Sequence, residues 1–258
     1  MQPINVTVLS LLLARACGMD HDSLREIGVG ALLHDIGKLE LPDRLRWRDP
    51  KFSAAERRLY EDHVAKGSLL SDRMGLSAPV RTIIEQHREL DDGSGYPAGL
   101  RGEMLAPTAR IVALVNYYDN LCNPGDSARA LPPHDALAVM FAKMRSQFDT
   151  STMATFIRMM GVYPPGSVIQ LPDSRYAISI AVNAARPIRP RVIVYNPDGC
   201  PEDALILDLE AMPEVGVRYS LKPTQLPRAA FDYLSPRSYV GYFLEHPVES
   251  REPRVAAS

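Results

Sequence analysis

Residues 23–38 read SLREIGVGALLHDIGK, in which an apolar helical stripe runs into a histidine and an aspartate. Ser23 and Glu26 have the spacing of a capping box, which predicts that a helix begins at this point. The apolar residues that follow recur at helical spacing: Leu24, Ile27, Ala31, Leu32 and Leu33. We therefore predict a helix buried on one side that presents His34 and Asp35 near its C-terminal end.

Further helices are predicted on both sides of this segment. Polar residues interrupt the apolar run from Ile4 to Cys17, so we expect a helix buried on one face. Because this run starts almost at the first residue, we also expect further sequence upstream of it. A second capping box, Ser53 with Glu56, predicts a helix that continues to Gly75 and carries His63 in its middle.

Proline in the first turn predicts two more helices. Pro79 opens one that carries His87, and Pro107 opens another that carries Asn116 and Asp119. Apolar segments at 136–148 and 152–160 complete an all-helical block.

The pattern changes after Pro164. Short β-rich runs, separated by Pro, Gly, Asp or Asn, lie at 167–171, 176–182, 191–195, 204–209 and 217–221. We therefore predict a mainly α protein with a helical bundle at 1–162 and a small β-rich, barrel-like C-terminal module at 163–247. The small and polar residues of 248–258 predict a disordered tail.

The composition argues against several classes of function. Because 29 Lys and Arg nearly balance 31 Asp and Glu, we expect binding neither to nucleic acid polymers nor to anionic membranes. The three cysteines form no CxxC, which argues against a zinc ribbon or a disulfide scaffold and favours a cytoplasmic location. We predict no secretion signal and no membrane span.

The set of His34, Asp35, His63 and His87 suits a binuclear metal centre, because neutral imidazoles and a carboxylate can hold and bridge two divalent ions. A lone His–Asp pair is more often only a polar helix end, and we interpret His134 and the aspartate after it in that way. The placement of the other histidines beside apolar helical stripes favours the metal hypothesis.

Two further features leave alternatives open. The segment DGSGYP, residues 92–97, is either a flexible turn or a loop whose backbone approaches a ligand or partner closely, with Tyr96 at its tip. Lys38 either pairs with Asp119, faces phosphate oxygens, or is a solvated lysine at a helix C-terminus.

Four segments together carry a family resemblance. HDIGK, EDHVAKG, QHRELDDGSGYPAGLRGE and ARIVALVNYYDNLCNP occur in this order, and they resemble the HD-GYP branch of the HD-domain metal-dependent phosphohydrolases. The resemblance covers about residues 5–163 and implies an HD-domain helical bundle. It implies hydrolysis of the second messenger cyclic di-GMP to pGpG or GMP in bacterial signalling, with two divalent ions, iron or manganese rather than magnesium or zinc.

The resemblance also implies roles for individual residues. His34 becomes a ligand of one ion, Asp35 the bridging ligand, and His63 with His87 the ligands of the second ion. Lys38 joins Asp35 as a catalytic residue, as a partner of phosphate or of Asp119. The implied substrate or partner loop, which would contact cyclic di-GMP or GGDEF-type proteins, comprises Arg88, Asp92, Gly93, Gly95, Tyr96 and Pro97.

Three positions depart from the family pattern. Gln2 stands where the family has a ligand histidine, Arg88 stands at the second of two consecutive histidines, and Asn116 stands where a closing aspartate is usual. Asp119 is the alternative ligand at that last position. We therefore expect one metal site to bind worse than the other and a third ion to be excluded by Arg88. A catalytically degenerate module that binds cyclic di-GMP or GGDEF-type partners is the alternative hypothesis.

Overall fold

The computed structural model describes residues 2–183, 186–212 and 214–236. Helices occupy the first part of this range: α1 (Gln2–Ala16), α2 (His21–Leu33), α3 (Ala54–Glu61), α4 (His63–Arg73), α5 (Ala78–Gln86), α6 (Pro107–Cys122), α7 (Pro133–Lys143) and α8 (Thr150–Met160). The predicted all-helical block is confirmed. None of the described helices combines the length and apolar character needed to cross a membrane.

One apolar core joins α1, α2, α5, α6, α7 and α8. Val6, Leu9 and Leu13 of α1 are buried together with Ile27 of α2 and Tyr118 of α6. The apolar spacing of the sequence therefore identifies the buried faces correctly. α6 is buried along most of its length, which fits its place between α1, α2, α5, α7 and α8.

The helix starts follow the sequence signals with two corrections. The capping box of Ser53 and Glu56 is present, but the one predicted at Ser23 is wrong, because the side chain of Asp20 accepts a hydrogen bond from the Ser23 N–H and α2 begins at His21. His63 does not lie in mid-helix. The predicted helix is interrupted at Asp62, between α3 and α4, so His63 is the first residue of α4.

The second part of the chain forms one antiparallel sheet and a short helix. Its elements are β1 (Val168–Gln170), β2 (Tyr176–Ala181), β3 (Arg191–Val194), β4 (Leu205–Asp208), β5 (Tyr219–Leu221) and α9 (Arg228–Leu234). The strand order is β4-β3-β2-β1-β5, and among the described residues the outer strands β4 and β5 do not pair with each other. The sheet is therefore open, which corrects the expected barrel-like shape.

Alternate residues of the strands cover the two faces of this sheet. Ile169 packs with Val192 and Val194 on one face, whereas Val168 packs with Leu226 and Leu234 beside α9 on the other. The predicted tail at 248–258 and the end of the predicted module lie outside the described residues.

Candidate metal centre

Three histidine rings are placed by the ends of three helices. His34 follows the last residue of α2, His63 begins α4, and His87 follows the last residue of α5. In each case ring Nδ1 contacts the backbone carbonyl three residues earlier: Ala31 at 2.7 Å, Tyr60 at 2.5 Å and Ile84 at 2.7 Å. A ring that donates Nδ1–H to a carbonyl has its free lone pair on Nε2. Histidines that bind a metal through Nε2 use this tautomer.

All three Nε2 atoms converge on the carboxylate of Asp35. His63 and His87 approach Oδ1, each at 3.3 Å, and His34 approaches Oδ2 at 3.3 Å. The ligand atoms of Asp35, His63 and His87 all lie within 4.8 Å of one another. The three Nε2 atoms are buried and have no hydrogen-bond partner among the described residues. Buried polar atoms are seldom left unpaired, so this donor set fits a divalent metal ion.

Two cationic side chains also contact Asp35. Lys38 Nζ lies 2.6 Å from Oδ2, and Arg88 Nη2 lies 3.2 Å from Oδ1 and 3.5 Å from Oδ2. Lys38 thus pairs with Asp35 and not with Asp119, because the 3-10 helix Ile36–Glu40 brings it back over the carboxylate. Arg88 lies beside the oxygen that faces His63 and His87.

Burial and charge set the protonation of this group. Burial alone would raise the pKa of Asp35, but its interactions with His34, Arg88 and Lys38 hold that pKa well below its usual range. Burial lowers the pKa of His63 and lowers that of His87 to about 3. A carboxylate facing neutral imidazoles is the form that binds a cation.

Gly37 of the HDIGK segment has a packing role that the sequence analysis missed. A Cβ atom at Gly37 would lie 1.9 Å from the carbonyl oxygen of His63 and 2.5 Å from the amide nitrogen of Gly67. Only glycine therefore lets the turn after Asp35 rest directly on the backbone of α4. This close approach brings His63 within reach of Asp35.

Polar residues of α1 and α6 lie together at two points near this centre. Gln2 Nε2 is 3.3 Å from Asn116 Oδ1 and 3.0 Å from Asn120 Oδ1, so two of the three positions that depart from the family pattern face each other. Asn120 was missed by the sequence analysis. This pair is held by amide hydrogen bonds and carries no charge.

Asp119 lies on the same helix and accepts hydrogen bonds on Oδ1 from Asn5 at 2.8 Å and Asn123 at 2.9 Å. Its other oxygen is buried and has no hydrogen-bond partner among the described residues. Burial raises the pKa of Asp119 to about 6, against the opposing effects of these hydrogen bonds and of His34. Asp119 stands outside the cluster of Asp35, His63 and His87.

The DGSGYP loop turns its tyrosine inward. The Tyr96 ring stands at 6.3 Å from the His63 ring in an edge-on arrangement, and the Tyr96 N–H donates to the Arg88 carbonyl at 3.1 Å. A Cβ at Gly95 would lie 2.4 Å from the Leu90 nitrogen, so glycine is required there. The Tyr96 ring therefore turns toward His63.

A buried carboxylate holds this loop. Glu89 is 1% exposed, and its oxygens accept hydrogen bonds from the backbone N–H groups of Ala98 at 2.6 Å and Leu100 at 3.0 Å. Asp92 Oδ1 accepts from the Ser94 N–H at 2.9 Å and closes the turn. Gly93 has a positive φ of 78°, and Pro97 is exposed. Glu89 was missed as a loop-positioning residue, although it lies only three residues before the loop begins.

His134 belongs to a different environment. Its Nδ1 contacts the Val162 carbonyl at 2.6 Å and its ring stacks on Tyr163, at the start of α7. No described carboxylate or second histidine forms a ligand cluster with it. The interpretation of this His–Asp pair as a polar helix end agrees with these contacts.

Comparisons with known proteins agree with this geometry. Residues 3–152 match the family described as HD domain. A cyclic di-GMP phosphodiesterase of Pseudomonas aeruginosa is 30% identical over 196 residues, covering 76% of this chain and 47% of that protein. The cyclic di-GMP phosphodiesterase response regulator RpfG of Xanthomonas campestris is 33% identical over 149 residues, covering 57% and 39%. The chain therefore spans less than half the length of either curated relative.

A solved structure is similar as well. Bd1817, a HDG"Y"P protein from Bdellovibrio bacteriovorus, superposes with a TM-score of 0.53 at 26% identity, covering 60% of this chain and 50% of that one. The family match at residues 3–152 includes the helices that carry the histidine cluster and the DGSGYP loop. The chain belongs to the HD domain family, and within that family it is of the HD-GYP type.

Proposed function

We propose that this chain hydrolyses cyclic di-GMP with divalent metal ions held around Asp35. The observation that carries the proposal is the convergence of three buried, unpaired Nε2 atoms on one carboxylate. The names of the two curated relatives support the choice of substrate. When bound, divalent ions of such a site lower the pKa of water and neutralise phosphate oxygens.

The two oxygens of Asp35 divide the proposed ligands into two groups. His63 and His87 face Oδ1 and would hold one ion, with Asp35 completing the set. His34 faces Oδ2, where a second ion would need further ligands from α6, either Asp119 or Asn116. Imidazole-rich sets favour iron or manganese over magnesium, which prefers oxygen ligands and retained waters.

The protein's own charges suit an anionic substrate. Lys38 and Arg88 place two positive charges on Asp35, with side chains 13% and 12% exposed, so both are shielded from bulk solvent. A phosphodiester that approaches the carboxylate would meet these donors. Charge-assisted hydrogen bonds of this type position phosphate groups and stabilise charge that develops on their oxygens. Tyr96 closes the side of the site next to His63.

A second candidate function is nucleotide or partner binding without turnover. It is favoured by Arg88, which lies where it competes with a cation for Asp35, and by the uncharged pair of Gln2 and Asn116. In this alternative, the outer surface of the DGSGYP loop, with Ser94 and Pro97 exposed, would contact GGDEF-type proteins.

One experiment separates the two functions. Purified chain is loaded anaerobically with iron or manganese and incubated with cyclic di-GMP, and pGpG and GMP are quantified. We expect product from the wild type, none from His63→Ala, and unchanged product from His134→Ala, which removes a histidine outside the cluster. No product with any metal, together with activity after Gln2→His, Arg88→His and Asn116→Asp are combined, would establish the binding module instead.

A further inference from the structure

A groove of about 510 Å³ lies outside the metal centre. One wall is formed by residues of 44–51, which follow the HDIGK turn, and the other by residues of 124–129, which follow α6. Apart from Pro124, neither segment belongs to the motifs that carry the family resemblance. The groove is nevertheless wide enough for a ring-shaped ligand such as a purine.

An aromatic surface stands in this groove. Trp47 is 60% exposed and is the only tryptophan of the chain. A Cβ at Gly125 would lie 3.3 Å from Trp47 Cβ and 4.0 Å from its Cε3, so the indole rests on the glycine backbone on one side. An exposed indole braced in this way is a stacking platform for a nucleobase.

Positive charges surround the indole. Arg44 is paired with Glu56, whereas Arg48, Lys51 and Arg129 are exposed and form no ion pair with any described residue. The carboxylates of Asp49 and Asp126, also in the groove, are engaged by the backbone N–H groups of Lys51 and Ala128. Unpaired arginines and a lysine beside an aromatic ring match a nucleotide, whose phosphate and base need these two kinds of contact.

Hydrogen bonds link both wall segments to the helix and the turn that carry Asp119 and Lys38. Asn123, which directly precedes the second wall, donates to Asp119 at 2.9 Å. Arg46, in the first wall segment, lies 3.5 Å from the Leu39 carbonyl of the turn that follows Asp35.

We propose that this groove is a nucleotide subsite, in which one guanine of a cyclic dinucleotide stacks on Trp47 while Arg48, Lys51 and Arg129 contact its phosphate. The inference rests on the proposed function, because the other phosphodiester of the same molecule would lie at the metal centre. Trp47 and the three cations are then specificity-determining residues that contact the part of the substrate that does not react.

The single tryptophan makes this subsite directly observable. The metal-loaded chain is titrated with the phosphorothioate analogue of cyclic di-GMP, which resists hydrolysis, while Trp47 emission and bound nucleotide are recorded in parallel by fluorescence and equilibrium dialysis. We expect emission to change in proportion to bound nucleotide. An Arg48→Ala, Arg129→Ala double variant, which keeps the indole, should bind about tenfold more weakly and with a shallower salt dependence. Arg228→Ala, an exposed arginine of α9, should bind as the wild type does.

Turnover is measured with the same proteins. Trp47→Ala should raise KM for cyclic di-GMP about tenfold, the loss expected for one base stack, with kcat and metal content unchanged. Nucleotide that binds without altering Trp47 emission, or a double variant that binds as tightly as the wild type, overturns the subsite. Emission change without product supports the subsite and rejects hydrolysis. Product formation without an emission change supports hydrolysis and rejects the subsite. Absence of nucleotide binding rejects both.

Discussion

Replacing Asp35 by asparagine tests the charge arrangement of the centre most directly. The change keeps the size of the side chain but removes the negative charge that lies 2.6 Å from Lys38 Nζ and 3.2 Å from Arg88 Nη2. All three side chains are between 11% and 13% exposed, so solvent only partly compensates the loss. In the metal-free protein, Asp35→Asn should therefore lower the free energy of unfolding.

The expected size follows from these distances. At an effective dielectric constant near 20, the gross attractions are about 6 and 5 kcal/mol for the lysine and the arginine. Much of this is offset by desolvation and by relaxation of the long side chains, and removal of one partner of a buried pair costs about 3–5 kcal/mol. The pKa of Asp35 is lower in the folded chain than its usual value, so the stabilisation is complete at neutral pH. It should begin to decline as the pH falls below about 3.9, where the unfolded aspartate becomes protonated, and should be lost as the pH falls through the lower pKa of the folded chain.

Urea unfolding of chelator-treated protein at pH 7 measures this difference. The matched control is Asp135→Asn, the same change in the second His–Asp pair, which should cost under about 1 kcal/mol as the loss of a charge at a helix start. Manganese at about 100 times its Kd should stabilise the wild type by about 2.7 kcal/mol and leave Asp35→Asn unaffected. The reasoning fails if the chelated variant is as stable as the wild type, or if manganese stabilises both equally.

Three other predictions follow from the packing and the ligand set. Gly37→Ala should lower the free energy of unfolding by about 2 kcal/mol or more in urea, whereas Gly28→Ala, where the new Cβ would meet its nearest neighbour at 3.7 Å, should not; equal effects would contradict the close-approach argument. Glu89→Gln should raise the hydrogen-exchange rates of the DGSGYP loop amides, and unchanged rates would show that this carboxylate does not hold the loop. Gln2→His combined with Asn116→Asp should increase the metal content per chain in elemental analysis, and an unchanged content would place the second site elsewhere.

Much of the helical architecture was accessible from the sequence because apolar spacing, proline and capping residues act locally. The interruption of the helix at Asp62 was not accessible from the sequence. Tyr60 and Val64, four residues apart, are both buried, so the apolar pattern continues across Asp62. The barrel-like shape was also wrong. Five short strands were recognised correctly, but their partners depend on long-range packing that a strand pattern does not contain.

The site was predictable in its residue types and less so in its contacts. His34, Asp35, His63 and His87 were identified from motifs, and the structure brings their side chains together. The partner of Lys38 and the inward direction of Tyr96 depend on how the turns fold back. Glu89 and Gly37 were missed because a buried carboxylate and a glycine contact point have no distinctive sequence spacing.

The contacts between each imidazole and the carbonyl of its own helical turn have a consequence for how this centre tolerates change. Every ring is aimed by a neighbour in its own segment, so no ring relies on another for its orientation. Loss of one coordinating residue would lower the number of ions that bind. It would not change the orientation of the remaining imidazole rings. Such a centre loses metal-binding capacity one ligand at a time. This explains how amides at Gln2 and Asn116 coexist with three imidazoles that still point toward Asp35.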